Sequence, residues 1–78
     1  MSRPPKMKIK ILELIERGYR TSEEIANILG KSRVDICALL NLYTKQGLVT
    51  RSRLRGRMYV YSLTPRGKAR LDYYRSRG

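Results

Sequence analysis

Apolar residues recur along this chain with the period of an α-helix in four stretches and with period two in one. The first stretch, PKMKIKILELIERG, sets Met7, Ile11, Leu14 and Ile15 at helical spacing, with Leu12 widening the stripe. Lys6, Lys8, Lys10 and Glu13 fall mostly off it, and Ile9 stands apart as a candidate contact with a second subunit. This predicts a helix over 5–17, stopped by Gly18. A basic arm at 1–4 precedes it, because Pro4 and Pro5 prevent an earlier start. Thr21-Ser22-Glu23-Glu24 has the form of a capping box and opens a second helix over 21–29. Ile25, Ile28 and Leu29 form its expected buried side, and Gly30 ends it. Ser32 then caps a third helix over 33–46, so only Gly30-Lys31 separates the two, a link short enough for a helix-turn-helix crossing. Ile36, Leu40 and Tyr43, with Leu39 beside them, are its expected core positions. Arg33, Val34, Cys37, Ala38, Asn41 and Thr44 are left facing outward. Gly47 supplies a left-handed cap, and Leu48 folds back as its hydrophobic contact.

After Gly47 the period shortens. LVTRSR and MYVYSL read as two strands of a β-hairpin over 48–63, turning at Leu54-Arg55-Gly56-Arg57. Tyr59, Tyr61 and Leu63 share one parity and are expected to face the helices. Arg51, Arg53, Arg55 and Arg57 crowd onto one arm and the tip. Like charges so placed repel each other, and a phosphate backbone nearby would remove the conflict. Thr64 caps and Pro65 opens a last helix over 65–76. Its apolar side is sparse: Ala69, Leu71 and Tyr74, with Tyr73 adjacent. That stripe either completes the domain's own core or pairs with its copy in a second subunit.

Composition changes this picture through charge. Eighteen Lys and Arg against six Asp and Glu give +12 over 78 residues. Such a field draws polyanions, nucleic acid first and anionic lipid second. A single domain of this size buries only about 60% of its unfolded surface, so self-association is an expected source of stability. One cysteine and no histidine exclude an intrachain disulfide and a Cys/His metal cluster. No metal, cofactor or small-molecule ligand is expected. No Ser–base or Cys–base pair is visible, and the chain has little room for a catalytic pocket, which argues against an enzyme. No run of eighteen apolar residues is present, and the N-terminus lacks the apolar core of a signal peptide. The expectation is a cytoplasmic, nucleoid-associated protein.

The order helix, helix, helix, hairpin, helix resembles the winged helix-turn-helix family. KILELIERG, TSEEIANILGKSR, the NLYTKQGLVTR run and GRMYVYSLTPRGKARL are each similar to phrases of MarR-, ArsR- and PadR-like regulators. The GLV turn and the Y-S-L-T-P-x-G ending are the more specific parts, and the resemblance spans roughly residues 8–74. It implies a mostly helical α+β domain, 1–78, that binds double-stranded DNA as a homodimeric transcription regulator. On that resemblance the third helix enters the major groove, with Arg33, Val34, Asp35, Cys37, Ala38 and Asn41 facing bases. Arg51, Arg53, Arg55 and Arg57 form the wing on the backbone or minor groove. Thr21, Lys31 and Ser32 approach phosphates from helix N-termini. Ile9, Leu71, Tyr73 and Tyr74 are the candidate dimer contacts.

By chemistry, Arg33 suits guanine and Asn41 adenine, while Val34 and Ala38 can meet thymine methyls. Asp35 either accepts from cytosine N4 or completes the Ser32 cap. A recognition face this poor in long polar side chains implies modest specificity or a reliance on DNA shape. Two alternatives stand beside sequence-selective binding. One is an architectural protein that coats DNA without preference. The other is a winged helix that docks on protein or binds RNA, its tyrosines stacking on unpaired bases. A redox role for Cys37 on the recognition face is a separate possibility, without a resolving cysteine in the chain.

Overall fold

A computed structural model describes residues 6–56 and 58–77, except for the side chain of Arg77. Three helices come first: α1 (Lys6–Arg17), α2 (Ser22–Leu29) and α3 (Arg33–Lys45). Strands β1 (Val49–Arg55) and β2 (Met58–Leu63) follow as one antiparallel hairpin, and α4 (Pro65–Arg77) ends the chain. The expected basic arm at 1–4, with Pro5, lies outside the described residues.

The core gathers the helical stripes around the base of the hairpin. Ile11, Leu12, Ile25, Ile36, Leu40 and Leu71 are fully covered, and Leu48, Val49 and Tyr61 close the side toward the wing. Each such Leu or Ile contributes about 1.5–3 kcal/mol by leaving water. Two of the expected stripes are corrected. Ile28 is 49% exposed, and Ala26 takes the buried position in its place. With only eight residues, α2 buries the narrow set Ile25, Ala26 and Leu29, so Ile28 turns outward beside Leu14 and Arg17 of α1. On α4 the inward line is Gly67, Leu71 and Tyr74, while Ala69 is exposed.

Helix ends are set by local chemistry. The Thr21 hydroxyl accepts from the Glu24 N–H at 3.2 Å and donates to the Glu24 carboxylate at 2.9 Å. At α3 the Ser32 hydroxyl accepts from the Asp35 N–H at 3.2 Å. α3 ends as the sequence predicts: Gly47 adopts φ 77°, its N–H bonds the Thr44 carbonyl, and the Leu48 N–H bonds the Tyr43 carbonyl, both at 3.0 Å. This pairing satisfies the helix's last carbonyls.

The corner between α3 and α4 is tight. The Leu48 carbonyl accepts from the Thr64 N–H at 3.1 Å, the Thr64 hydroxyl donates to the Gly47 carbonyl at 2.6 Å and accepts from the Gly67 N–H at 2.9 Å. Gly67 packs directly on Leu48, where any side chain would strike the backbone.

The hairpin pairs Val49 with Leu63, Arg51 with Tyr61 and Arg53 with Tyr59, then slips so that Arg55 faces Met58. Leu54 is the extra residue of a β-bulge. The predicted four-residue turn is therefore tighter, since β1 runs on to Arg55 and β2 begins at Met58. The Tyr61 N–H also donates to the Arg20 carbonyl at 2.9 Å, which ties the root of the wing to the α1–α2 link.

A candidate nucleic-acid interface

One cleft of about 440 Å³ opens between the start of α2, the outer face of α3 and the wing. Arg33, Cys37 and Asn41 line it from α3, Arg51 and Tyr59 from the hairpin, and Ser22 and Glu23 from α2. The helix-turn-helix crossing places α3 here, and the bond from Tyr61 to Arg20 holds the wing beside it.

The base-facing set mostly occupies this outer surface. Arg33, Val34, Asp35, Ala38 and Asn41 are exposed, Val34 by 77%. Cys37 is half-buried in the cleft wall, so its thiol presents less surface than its neighbours. Lys31 and Ser32 are exposed at the turn. The hydroxyl of Thr21 is engaged on both sides by Glu24, so it serves the cap. For Asp35, the backbone joins the Ser32 cap, and among the described residues its carboxylate completes no reciprocal bond.

The wing arginines divide by the slip in register. Arg51 and Arg53 share the face of Tyr59 and Tyr61, their guanidinium carbons 4.8 and 5.9 Å from the Tyr59 ring. Past the bulge, Arg55 pairs with Met58 and so turns to the other face. This separates charges that parity alone would stack together. Arg57 lies outside the described residues.

Among the proposed dimer contacts, Leu71 is corrected: it is 0% exposed within a single chain and belongs to the core. Gly67 lets α4 approach Leu48 closely enough to seat it there. Ile9 is half-buried against the same core. Tyr73 is 49% exposed and meets Tyr74 edge to face, at 5.9 Å between ring centroids.

Two of the six acidic residues, Glu13 and Glu16, pair between helices. Glu16 of α1 pairs with Lys68 at 2.7 Å and Arg75 at 2.8 Å of α4, and Glu13 pairs with Arg75 at 3.3 Å. Hydrogen bonds from Arg75, then Lys68, hold the Glu16 carboxyl down at about 2. Sequence spacing gave no sign of this cluster, since its partners lie more than fifty residues apart. Nor did it mark Glu23, which lines the cleft. Among the described residues, no group of three or more His, Cys, Asp or Glu could hold a metal ion. Among the same described residues, no helix is long and apolar enough to cross a membrane.

Among the described residues, four helices and a two-stranded wing in this order make a winged helix-turn-helix fold. Residues 9–78 match the model of the family described as wHTH-PRTase associated, and the chain belongs to that family. No curated protein matches the sequence. In shape it is similar to a MarR-family transcriptional regulator from a Rhodococcus species, at 20% identity and a TM-score of 0.82 over 91% of this chain and 52% of that one. The transcriptional regulator BldR from Sulfolobus solfataricus superposes with a TM-score of 0.82 at 23% identity, over 91% of this chain and 52% of its own. YusO from Bacillus subtilis does so with 0.84 at 15% identity, over 90% and 52%. The chain thus spans about half the length of these proteins. At such identities the likeness establishes the fold.

Proposed function

We propose that this domain binds double-stranded DNA with sequence preference, as a homodimeric transcription regulator. The observation that carries the reading is the cleft itself. An exposed α3 face bearing Arg33 and Asn41 stands beside an arginine-bearing wing, in a protein of net charge +12. α3 enters the major groove, where Arg33 and Asn41 reach base edges and Val34 and Ala38 meet methyl groups. Arg53 and Arg55 lie against the backbone or the adjacent minor groove and supply affinity without sequence information. The solved regulators of this shape are transcription factors by name, which supports the role. In a homodimer, two α3 helices sit about one helical turn, ~34 Å, apart. Ile9, Tyr73 and Tyr74 remain the candidate contacts between copies. Selection from random duplexes, with the oligomeric state measured on DNA, tests both parts; salt-insensitive binding without preference rejects them.

A second reading comes from the family description, which couples such domains to a PRTase. On that reading the domain also docks on a protein partner. Co-elution with a PRTase of the same genome in size-exclusion chromatography tests it, and separate elution at micromolar concentrations counts against it.

A further inference from the structure

Arg51 stands on the wing, yet its guanidinium turns toward the third helix. Its Nη1 donates to Asn41 Oδ1 at 3.3 Å. Its Cζ lies 4.8 Å from the centre of the Tyr59 ring, a cation–π distance. It also acts on the Tyr61 hydroxyl, against the upward push that burial gives that group. Tyr61 is 4% exposed and anchored through its backbone to Arg20. The guanidinium is therefore held between an anchored aromatic pair and α3. Arg53 is the contrast: it lies 5.9 Å from the same ring, and among the described residues its side chain makes no hydrogen bond.

A guanidinium carries donors only, so the atom of the Asn41 amide that faces it is the oxygen. Among the described residues the amide nitrogen has no hydrogen-bond partner, so it is the end free to meet a base. Asparagine reads adenine by using both ends at once: the oxygen accepts from N6 and the nitrogen donates to N7. The oxygen keeps a second lone pair, but turned toward Arg51 it does not lie alongside the amide nitrogen for the paired contact adenine needs; the nitrogen's donors then lead, and donors match N7 and O6 of guanine.

We propose that Arg51 is a positioning residue that fixes the Asn41 amide as a donor, so that the Asn41 position of the recognition helix reads guanine rather than adenine. The proposal rests on the duplex-binding reading above and reverses the adenine preference that residue type alone suggests. It also moves Arg51 from the phosphate-contacting set to the reading apparatus, and it couples the root of the wing to base choice.

The test compares the wild-type chain with Arg51→Ala and Arg51→Lys. The lysine variant keeps the charge without the forked donor, and it carries the test should the alanine variant fold poorly. Side-chain amide NMR of the free protein reads the pairing; random-duplex selection with a salt titration reads its consequence. Both substitutions are expected to shift the Asn41 side-chain amide resonances. The guanine excess over adenine at one position then falls about tenfold, with the salt slope unchanged. A salt slope lowered by ~1 with base preference intact makes Arg51 a phosphate contact and overturns the proposal. Unmoved Asn41 resonances overturn it as well. Should the resonances shift while no duplex is bound by any form, the base-reading claim falls together with duplex binding, and the NMR result assigns the failure to the latter.

Discussion

Gly67→Ala is a substitution whose sign the structure reverses. In an ordinary helix, replacing Gly by Ala gains about 1 kcal/mol. Here the added methyl would lie 2.9 Å from the Leu48 carbonyl carbon and closer still to its oxygen. Both partners are backbone, so no rotamer change relieves the contact. Either α4 lifts away from Leu48 or the Gly47-Leu48 corner opens. The first choice uncovers Leu71; the second strains the bonds among Leu48, Gly47 and Thr64 at 2.6–3.1 Å. Overpacking of this kind costs about 1–3 kcal/mol, and more when the backbone must move. Because both contacts are backbone, the upper end of about 3 kcal/mol applies, and less the propensity gain of about 1 kcal/mol the net loss is about 2 kcal/mol. For a domain of this size each kcal/mol shifts Tm by about 4–8 °C, so Tm is expected to fall by roughly 8–16 °C. Thermal unfolding followed by circular dichroism, at fixed protein concentration, measures it. Arg66→Ala, in the same turn but exposed, serves as the control. A Gly67→Ala protein that melts at or above the wild-type temperature would refute the assigned close approach of α4 to Leu48.

Other perturbations separate the remaining assignments. Glu16 has its carboxyl lowered from 4.5 to about 2 by Arg75 and Lys68. The stability it contributes is therefore complete above about pH 4.5 and is lost as pH falls toward 2. Glu16→Gln should flatten that part of the acid titration, and an unchanged profile would show that the α1–α4 pairs do not form in solution. Leu71→Ala should destabilise by about 2–5 kcal/mol, equally at every protein concentration; a loss that vanishes on dilution would return Leu71 to a subunit interface. Arg53→Ala and Arg55→Ala should weaken binding to all duplexes and lower the salt slope by ~1 each, whereas Arg33→Ala should cost about 1–3 kcal/mol at one base position. Exchange of those two behaviours in a salt-dependent binding assay would reverse the reading and positioning roles.

The helical order and the wing were legible because each rests on local chemistry. Thr21, Ser32 and Gly47 act within a few residues of themselves: both hydroxyls accept from the backbone N–H three residues on, and the Gly47 corner closes α3, although neither carboxylate returns a bond to the cap's backbone N–H among the described residues. Tyr61 and Leu63 faced the helices as their parity required. The failures are of a different kind. Ile28 and Ala69 matched a helical stripe, but periodicity cannot say how wide a stripe the neighbouring helix will cover. Leu71 was legible as apolar, while its partner was not, because burial depends on how closely α4 approaches Leu48. The slip that sends Arg55 to the far face of the wing leaves no mark in an alternating pattern. In the candidate site, residue types named Asn41 and Arg51 separately. Their contact joins positions on different elements and was visible only once the hairpin register was fixed.

The central claim is that α3 and the wing together read a duplex. Random-duplex selection at ~150 mM salt, where phosphate binding alone is partly suppressed, tests it most directly. The account predicts an enriched inverted repeat with half-sites about one helical turn apart. Binding retained with no enriched sequence, or loss of all duplex binding at that salt, would contradict it.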